Sequence, residues 1–273
     1  MSIPYPCHPD YGYDMHSTEC LAIELDGHLF NGKHQPGAYY GITGWSGWLD
    51  GADASGGARP HQAADGGYQT PIRFLGRSIT LELAVEATTR GELWEMCNDI
   101  GRLCTTNRWS PLVVTEEALG TSRQIDVCRV RQPKITFTGW TSAVATLELQ
   151  SASFPKLDVD KQRILIAPGE TQRLWNVGDY PADLHIYLYG PTDKAFLAFA
   201  GTTQGSWAYN AAIAAGKQVE VLMSPRIVRD PELSKHHRIL CSGSWLQLQP
   251  GESSIKYTGS GGLVAVEWRS SWT

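Results

Sequence analysis

Five short runs in the second half of the chain alternate apolar and polar residues: Ile164/Ile166, Leu184/Ile186/Leu188, Val219/Val221/Met223, Leu246/Leu248 and Val264/Val266/Trp268. A period of two puts every second side chain on one face, the pattern of a half-buried strand. Pro168-Gly169, Gly190-Pro191, Ala215-Gly216 and Pro250-Gly251 stand between the runs. There Pro fixes one dihedral and Gly accepts the positive φ that a tight turn needs. In Gly243-Ser-Trp245-Leu-Gln-Leu-Gln-Pro250-Gly251 the reading is a strand over Trp245–Gln249, ended by a corner. Residues 156–273 therefore predict a β-sandwich long enough to bury its own core.

The first half is β-rich with a single helix. Leu21–Leu25 alternates, and Asp26-Gly27 offers a two-residue hairpin turn before His28–Phe30. Ile79–Val85 is a clean alternating strand. Thr89-x-x-Glu92 then reads as a capping box, and Leu93, Cys97, Ile100 and Cys104 fall on one helical face. That stripe is a core face. Strands resume at Pro111–Val114, Ile125–Arg131, Ile135–Phe137 and Ala143–Gln150, until Phe154-Pro155-Lys156 breaks the pattern. The break predicts two domains, 1–155 and 156–273. From Gly32 to Gly67 the chain is rich in Gly, Ala, Asp and Pro, with Trp45 and Trp48 embedded, and reads as a long loop. Such a loop either contacts something or is a floppy excursion.

Catalytic patterns are mostly missing. There is no phosphate-binding loop, dinucleotide fingerprint, H-E-x-x-H or C-x-x-C. Gly44-Trp45-Ser46-Gly47 fails as a nucleophile elbow because Trp48 stands where the second Gly must fall. Cys7, His8, His16 and Cys20 lack the ligand spacing of structural zinc sites. His236-His237 reads as a solvated loop pair and Glu116-Glu117 as a solvated turn. The six cysteines are scattered and read as reduced thiols. The chain is expected to be no enzyme, to need no cofactor or metal, and to insert in no membrane. No signal peptide is read at its start.

Charge argues in the same direction. Residues 1–155 carry 11 Lys and Arg against 17 Asp and Glu, whereas a nucleic-acid binder draws affinity from a basic excess. Arg123, Arg129, Arg131 and Lys134 form the one basic cluster. It reads as a solvated or ion-paired strand face, with no aromatics interleaved for stacking on bases. The aromatic content of the second half leaves three readings open. Trp175, Tyr187, Tyr189, Trp207 and Tyr209 are a platform for stacking on sugars, a partner interface, or ordinary packing.

Ser242–Gly251 followed by Val264-Ala-Val-Glu-Trp268-Arg269-Ser-Ser-Trp272 resembles the C-terminus of the distal tail (Dit) proteins of phages with long non-contractile tails. Asn176-Val-Gly178-Asp-Tyr-Pro181 with Ile186-x-Leu188-x-Gly190, and Ala215–Val221, resemble further stretches of that family. So do Gly57-x-Arg59, Asp65-Gly66, Gly76-Arg77-Ser-Ile79 and the helix, which match its N-terminal belt domain. The likeness covers most of residues 21–273, in order; the family's acidic-Pro step appears here as Phe154-Pro155-Lys156.

The resemblance implies a mainly β protein with a belt domain and an outward-facing galectin-like, jelly-roll sandwich. It further implies a homo-hexameric virion ring at the distal end of the tail, assembled in the host cytoplasm around a DNA channel. Its expected partners are the tail-tube protein above and the tail-tip or baseplate hub proteins below. Trp45, Trp48, Arg59 and Tyr68 are the expected ring-interface or partner-contact residues. The alternative is a carbohydrate-binding module that grips a host-surface glycan through the sandwich.

Overall fold

The computed structural model describes residues 21–30, 39–52, 54–60, 65, 67–105, 108–116, 119–229 and 238–273. Cys7, His8, His16, Cys20, Glu117, His236 and His237 lie outside them. The chain divides into two compact units, Met1–Lys156 (with the terminal Thr273) and Leu157–Trp272.

The first unit runs β1 (Leu21–Leu25), β2 (His28–Phe30), β3 (Tyr39–Ser46), β4 (Ala54–Pro60), β5 (Gly67–Phe74) and β6 (Ser78–Glu86). Helix α1 (Arg90–Arg102) follows, then β7 (Ser110–Glu116), β8 (Thr121–Arg129), β9 (Lys134–Phe137) and β10 (Ser142–Ser151). The main sheet is ordered β2-β1-β7-β8-β10-β6-β3. Past Arg129 the line of β8 continues into β9, and both pair with β10. Hairpin β4–β5 is a separate two-stranded ribbon.

Alternation decides which face of this sheet is dry. Ile79, Leu81, Leu83 and Val85 of β6 and Ala143, Ala145, Leu147 and Leu149 of β10 are buried, and the two sets stand opposite one another in register. α1 packs on these two strands through Leu93, Met96, Cys97 and Ile100. The alanines opposite Val85 and Leu83 leave less side chain beneath it. Cys104, the last residue of the expected stripe, is buried just past the helix at φ 45°. Burial, reinforced by the Asp26 carboxylate, pushes its thiol up to about 11, so it stays protonated.

Local chemistry sets the boundaries of these elements. Asp26 and Gly27 take φ of 53° and 84°, the two positive values of a tight hairpin turn, and Leu25 faces His28 across it. Thr89 caps α1, its hydroxyl accepting from the Glu92 N–H at 3.2 Å. The Glu92 carboxylate turns back to accept from the Thr88 hydroxyl and, at 2.8 Å, from its N–H. Thr89→Ala is expected to cost about 1 kcal/mol, read as a lower thermal midpoint.

The Thr88 hydroxyl and amide hold Glu92 below its ordinary value of 4.5. A depressed folded pKa contributes stability above the unfolded value and loses it as pH falls. The stability difference between wild type and Glu92→Gln is therefore expected to shrink on acidification below that value.

Two expectations change here. The segment from Gly32 to Gly67 is no continuous loop: it holds β3, which pairs along β6, and β4, which pairs with β5. Its glycines permit close approach. At Gly47, with φ 85°, an added Cβ would fall 1.8 Å from the Ser78 carbonyl oxygen, so no other residue fits that corner. Arg129, expected on a solvated or ion-paired face, is buried. Its guanidinium donates to the carbonyls of Gly101 (2.7 Å) and Leu103 (3.1 Å), which end the helix. A cation there meets the negative end of the helix dipole. Arg131 is exposed and pairs with Glu148 at 2.7 Å.

After β11 (Lys156–Asp158), the second unit contains β12 (Gln162–Ile166), β13 (Thr171–Asn176), β14 (Leu184–Tyr189), β15 (Ala195–Gly201) and β16 (Gly205–Tyr209). It continues through β17 (Gln218–Leu222), β18 (Ile227–Arg229), β19 (Cys241–Gly243), β20 (Gly251–Gly259), β21 (Leu263–Trp268) and β22 (Ser271–Trp272). Two five-stranded sheets, β12-β21-β14-β17-β18 and β13-β20-β15-β16-β19, enclose one core. Ile186, Val221 and Val266 come from the first, and Leu174, Leu197, Trp207 and Tyr257 from the second. That is a β-sandwich.

Trp245–Gln249 is not the strand its alternation predicts. Trp245 and Leu246 both pack against the core although they are adjacent, which an extended strand forbids. Only Leu248 forms a bridge, to Ala182.

Candidate assembly surfaces

Trp45 and Trp48 meet where β3 turns back toward the body of the first unit. Their rings stack at 6.1 Å, and Trp48 is 5% exposed. The Lys156 amine lies 5.5 Å over the Trp48 ring and donates to the Trp48 carbonyl at 3.2 Å. Arg77 closes the arrangement. Its Nε donates to the Phe154 carbonyl at 3.1 Å, and its Nη1 to the carbonyls of Trp48 (3.3 Å) and Asp50. The guanidinium also lies 5.2 Å from the Phe154 ring, which stacks on Phe74 at 4.4 Å. Burial lowers the Arg77 pKa and the Asp50 carboxylate opposes that shift. One cation thus ties the end of β3, the entry to β6 and the exit from β10.

Trp48 is therefore a buried anchor and not an exposed partner contact, and half-buried Trp45 stacks on it. The reason is local: the positive-φ corner at Gly47 turns the chain so that the next ring faces inward. Arg59 and Tyr68 are brought together, as directly opposed residues across the β4–β5 ribbon. The four expected contact residues thus fall into two pairs on different elements.

The sugar platform does not assemble. Trp207 and Tyr209 are buried in the sandwich core, because residues 207 and 209 share the inward face of β16. Trp175 is exposed on the outer face of β13. Tyr187 and Tyr189 lie on the outer face of β14, in the other sheet. They sit in a network of hydrogen bonds and ion pairs. His185 Nε2 meets Glu220 at 2.9 Å, Arg229 meets the same carboxylate at 3.4 Å, and Glu267 holds Lys161 at 3.0 Å and Arg163 at 3.5 Å. Arg163 also donates to the Tyr189 hydroxyl at 3.3 Å.

A cluster that sequence reasoning missed lies beside α1. The Arg90 guanidinium sits 4.2 Å from the Phe137 ring centre, 5.7 Å from Trp140 and 5.8 Å from Trp94. It donates to the carbonyls of Gly139 (3.3 Å) and Trp140 (3.1 Å). The three rings are 38%, 77% and 51% exposed. Solvent-facing aromatics gathered in one patch are a feature that contact surfaces share. The legible signals were the i, i+4 spacing of Arg90 and Trp94 and the Phe137-x-x-Trp140 turn.

Among the described residues no group of three or more His, Cys, Asp or Glu side chains could hold a metal ion, and no helix is long and apolar enough to cross a membrane.

No protein-family model and no curated protein sequence matches the chain. The crystal structure of the Dit protein of phage SPP1 superposes with a TM-score of 0.67 at 14% identity, over 93% of this chain and 99% of that one. The fold is Dit-like. That protein is described as a paradigm of the hub adsorption apparatus in phages infecting Gram-positive bacteria. A chain of the activated phage P2 baseplate aligns over 90% of this chain and 97% of its own, at 8% identity and a TM-score of 0.46.

Proposed function

We propose that this protein is a distal tail protein, a non-enzymatic structural component of a phage virion. The observation that carries this reading is the likeness to the SPP1 Dit protein over nearly the whole of both chains, covering both units and not one common sandwich. Six copies form a ring around the DNA passage, with the 1–155 domains as the belt and the galectin-like 156–273 sandwiches outside. The ring joins the tail-tube protein to the tail-tip or baseplate hub proteins at the distal end of the tail, having assembled in the host cytoplasm. Ring closure needs a heterologous contact repeated by rotation, and the acidic balance of the first half suits a channel that repels phosphate.

Among the described residues the β4–β5 ribbon bearing Arg59 and Tyr68 pairs with no strand of the main sheet, which suits it to reach a neighbour. The carbohydrate-binding alternative loses Trp207 and Tyr209 to the core, and what it keeps is divided between two sheets, with Trp175 exposed on one and Tyr187 and Tyr189 engaged within the face of the other.

Gold-labelled antibody against the protein, applied to particles of the phage that carries it, is expected to decorate only the tail end away from the capsid. Decoration along the tube or on the capsid, or no decoration of particles, would contradict this reading.

A further inference from the structure

Two groups of exposed apolar side chains stand at opposite ends of the β6–β10 pair. One surrounds the Arg77 clamp. There Phe74 stacks on Phe154, Leu75 follows it, and Leu49 stands between Trp48 and Asp50, whose carbonyls Arg77 holds. Phe74 ends β5, so this group lies at the foot of the β4–β5 ribbon. The other group is the cluster around Arg90, where the Trp94 and Phe137 rings meet at 5.2 Å and Trp140 lies against the same guanidinium.

Register fixes how far apart they are. Arg77 precedes Ser78, which stands opposite Gln150; Trp140 lies just before Ser142, which stands opposite Glu86. The eight residue steps from Ser78 to Glu86 span about 26 Å at strand rise. Within one chain the two groups cannot cover each other.

Area shows what they can cover together. Leu49, Phe74 and Leu75 are 73%, 50% and 49% exposed. An aromatic side chain carries about 150–250 Å², so each group offers roughly 300 Å². The largest apolar patch of a typical monomer is about 300–600 Å², and this unit carries two at the foot of that range. Laid against each other they remove roughly 600 Å² of apolar surface from water, close to the apolar core of an interface of about 1,600 Å² in all.

The pairing also selects the partner. A protein stacked above or below needs one such patch, whereas a contact repeated by rotation needs two different ones on every copy, one given and one received. Charge does not enter the choice: α1 carries Glu92, Glu95 and Asp99 against Arg90 and Arg102, so the rings carry the contact.

We propose that the Leu49, Phe74 and Leu75 surface of one copy docks on the Trp94, Phe137 and Trp140 surface of the next. The contact is heterologous, and it rests on the ring reading for its six-fold closure.

The test uses two full-length variants, Leu49→Asp and Trp140→Asp, each at the most exposed position of its group. Both are expected to keep the wild-type melting profile. Sedimentation equilibrium reads the mass of each protein up to millimolar concentration. Wild type is expected to reach six copies. Each variant alone is expected to keep the mass of one copy where wild type assembles, its contact weakened roughly thirtyfold or more, as for loss of an interface hot spot. Mixed in equal amounts, the two variants are expected to form a pair and nothing larger, because one intact surface of each meets one intact surface of the other. That pair also shows that both variants fold.

Assembly that either variant leaves intact overturns the docking, since a contact between two like surfaces depends on only one of them. So does a mixture of folded variants that stays single. Wild type that stays single at millimolar concentration overturns it too, because interfaces of that area close at micromolar concentration or below; six copies on the tail tube would then still support the ring. A pair from the mixture, with wild type growing into open chains instead of six copies, keeps the docking and defeats the ring reading.

Discussion

Arg77→Met is expected to destabilise the first unit by about 3–5 kcal/mol. Methionine preserves most of the buried stem, so the loss isolates the guanidinium. Removing it takes one donor from each of the carbonyls of Phe154, Trp48 and Asp50, of which Trp48 keeps the Lys156 amine, and a buried acceptor left short of a donor costs about 1–3 kcal/mol. Local relaxation returns part of that at the Asp50 end, where the loop is more exposed. Arg77→Lys is expected to recover less than half, because one ammonium cannot span three acceptors that a planar fork reaches together. Denaturant unfolding followed by tryptophan fluorescence checks both. A loss under about 1 kcal/mol for the methionine variant would show that the clamp is incidental to stability.

Trp207→Ala is expected to have a comparable effect on the second unit, about 3–5 kcal/mol. Trp207 is fully buried between the two sheets and meets Trp245 edge-on at 5.9 Å. Its indole N–H has no hydrogen-bond partner among the described residues, so its contribution is packing. The contrast with phenylalanine follows: Trp207→Phe forfeits no hydrogen bond and leaves a smaller void, and is expected to cost about 1–2 kcal/mol. If the two substitutions proved equally costly, the indole nitrogen would be doing more than packing.

Those two residues also show how far the sequence was readable. Alternation placed Leu184, Ile186 and Leu188 inward and Tyr187 and Tyr189 outward on β14, as observed, because a regular strand ties position to face. The same rule applied to Trp245–Gln249 fails, since tertiary contacts draw two adjacent side chains to one side. Gly, Ala, Asp and Pro between 32 and 67 read as a loop, but Gly47, at the end of β3, is where the chain passes closest to the Ser78 carbonyl. Local composition cannot separate those two uses.

Arg129 and Arg77 were opaque for another reason. Each is buried because distant segments supply carbonyls to it, and partners that far apart in sequence leave no local pattern. The aromatic cluster around Arg90 joins a helix to a strand some fifty residues on, so it too appears only once the chain is folded.

The central claim is that copies of this chain close into a six-fold ring that seats on the tail tube. Light scattering of the purified full-length protein measures it most directly, over a range of concentrations and both alone and mixed with the tail-tube protein. The account predicts a species of six times the chain mass, with the tube protein present if not without it. A chain that keeps the mass of one copy under both conditions would contradict it.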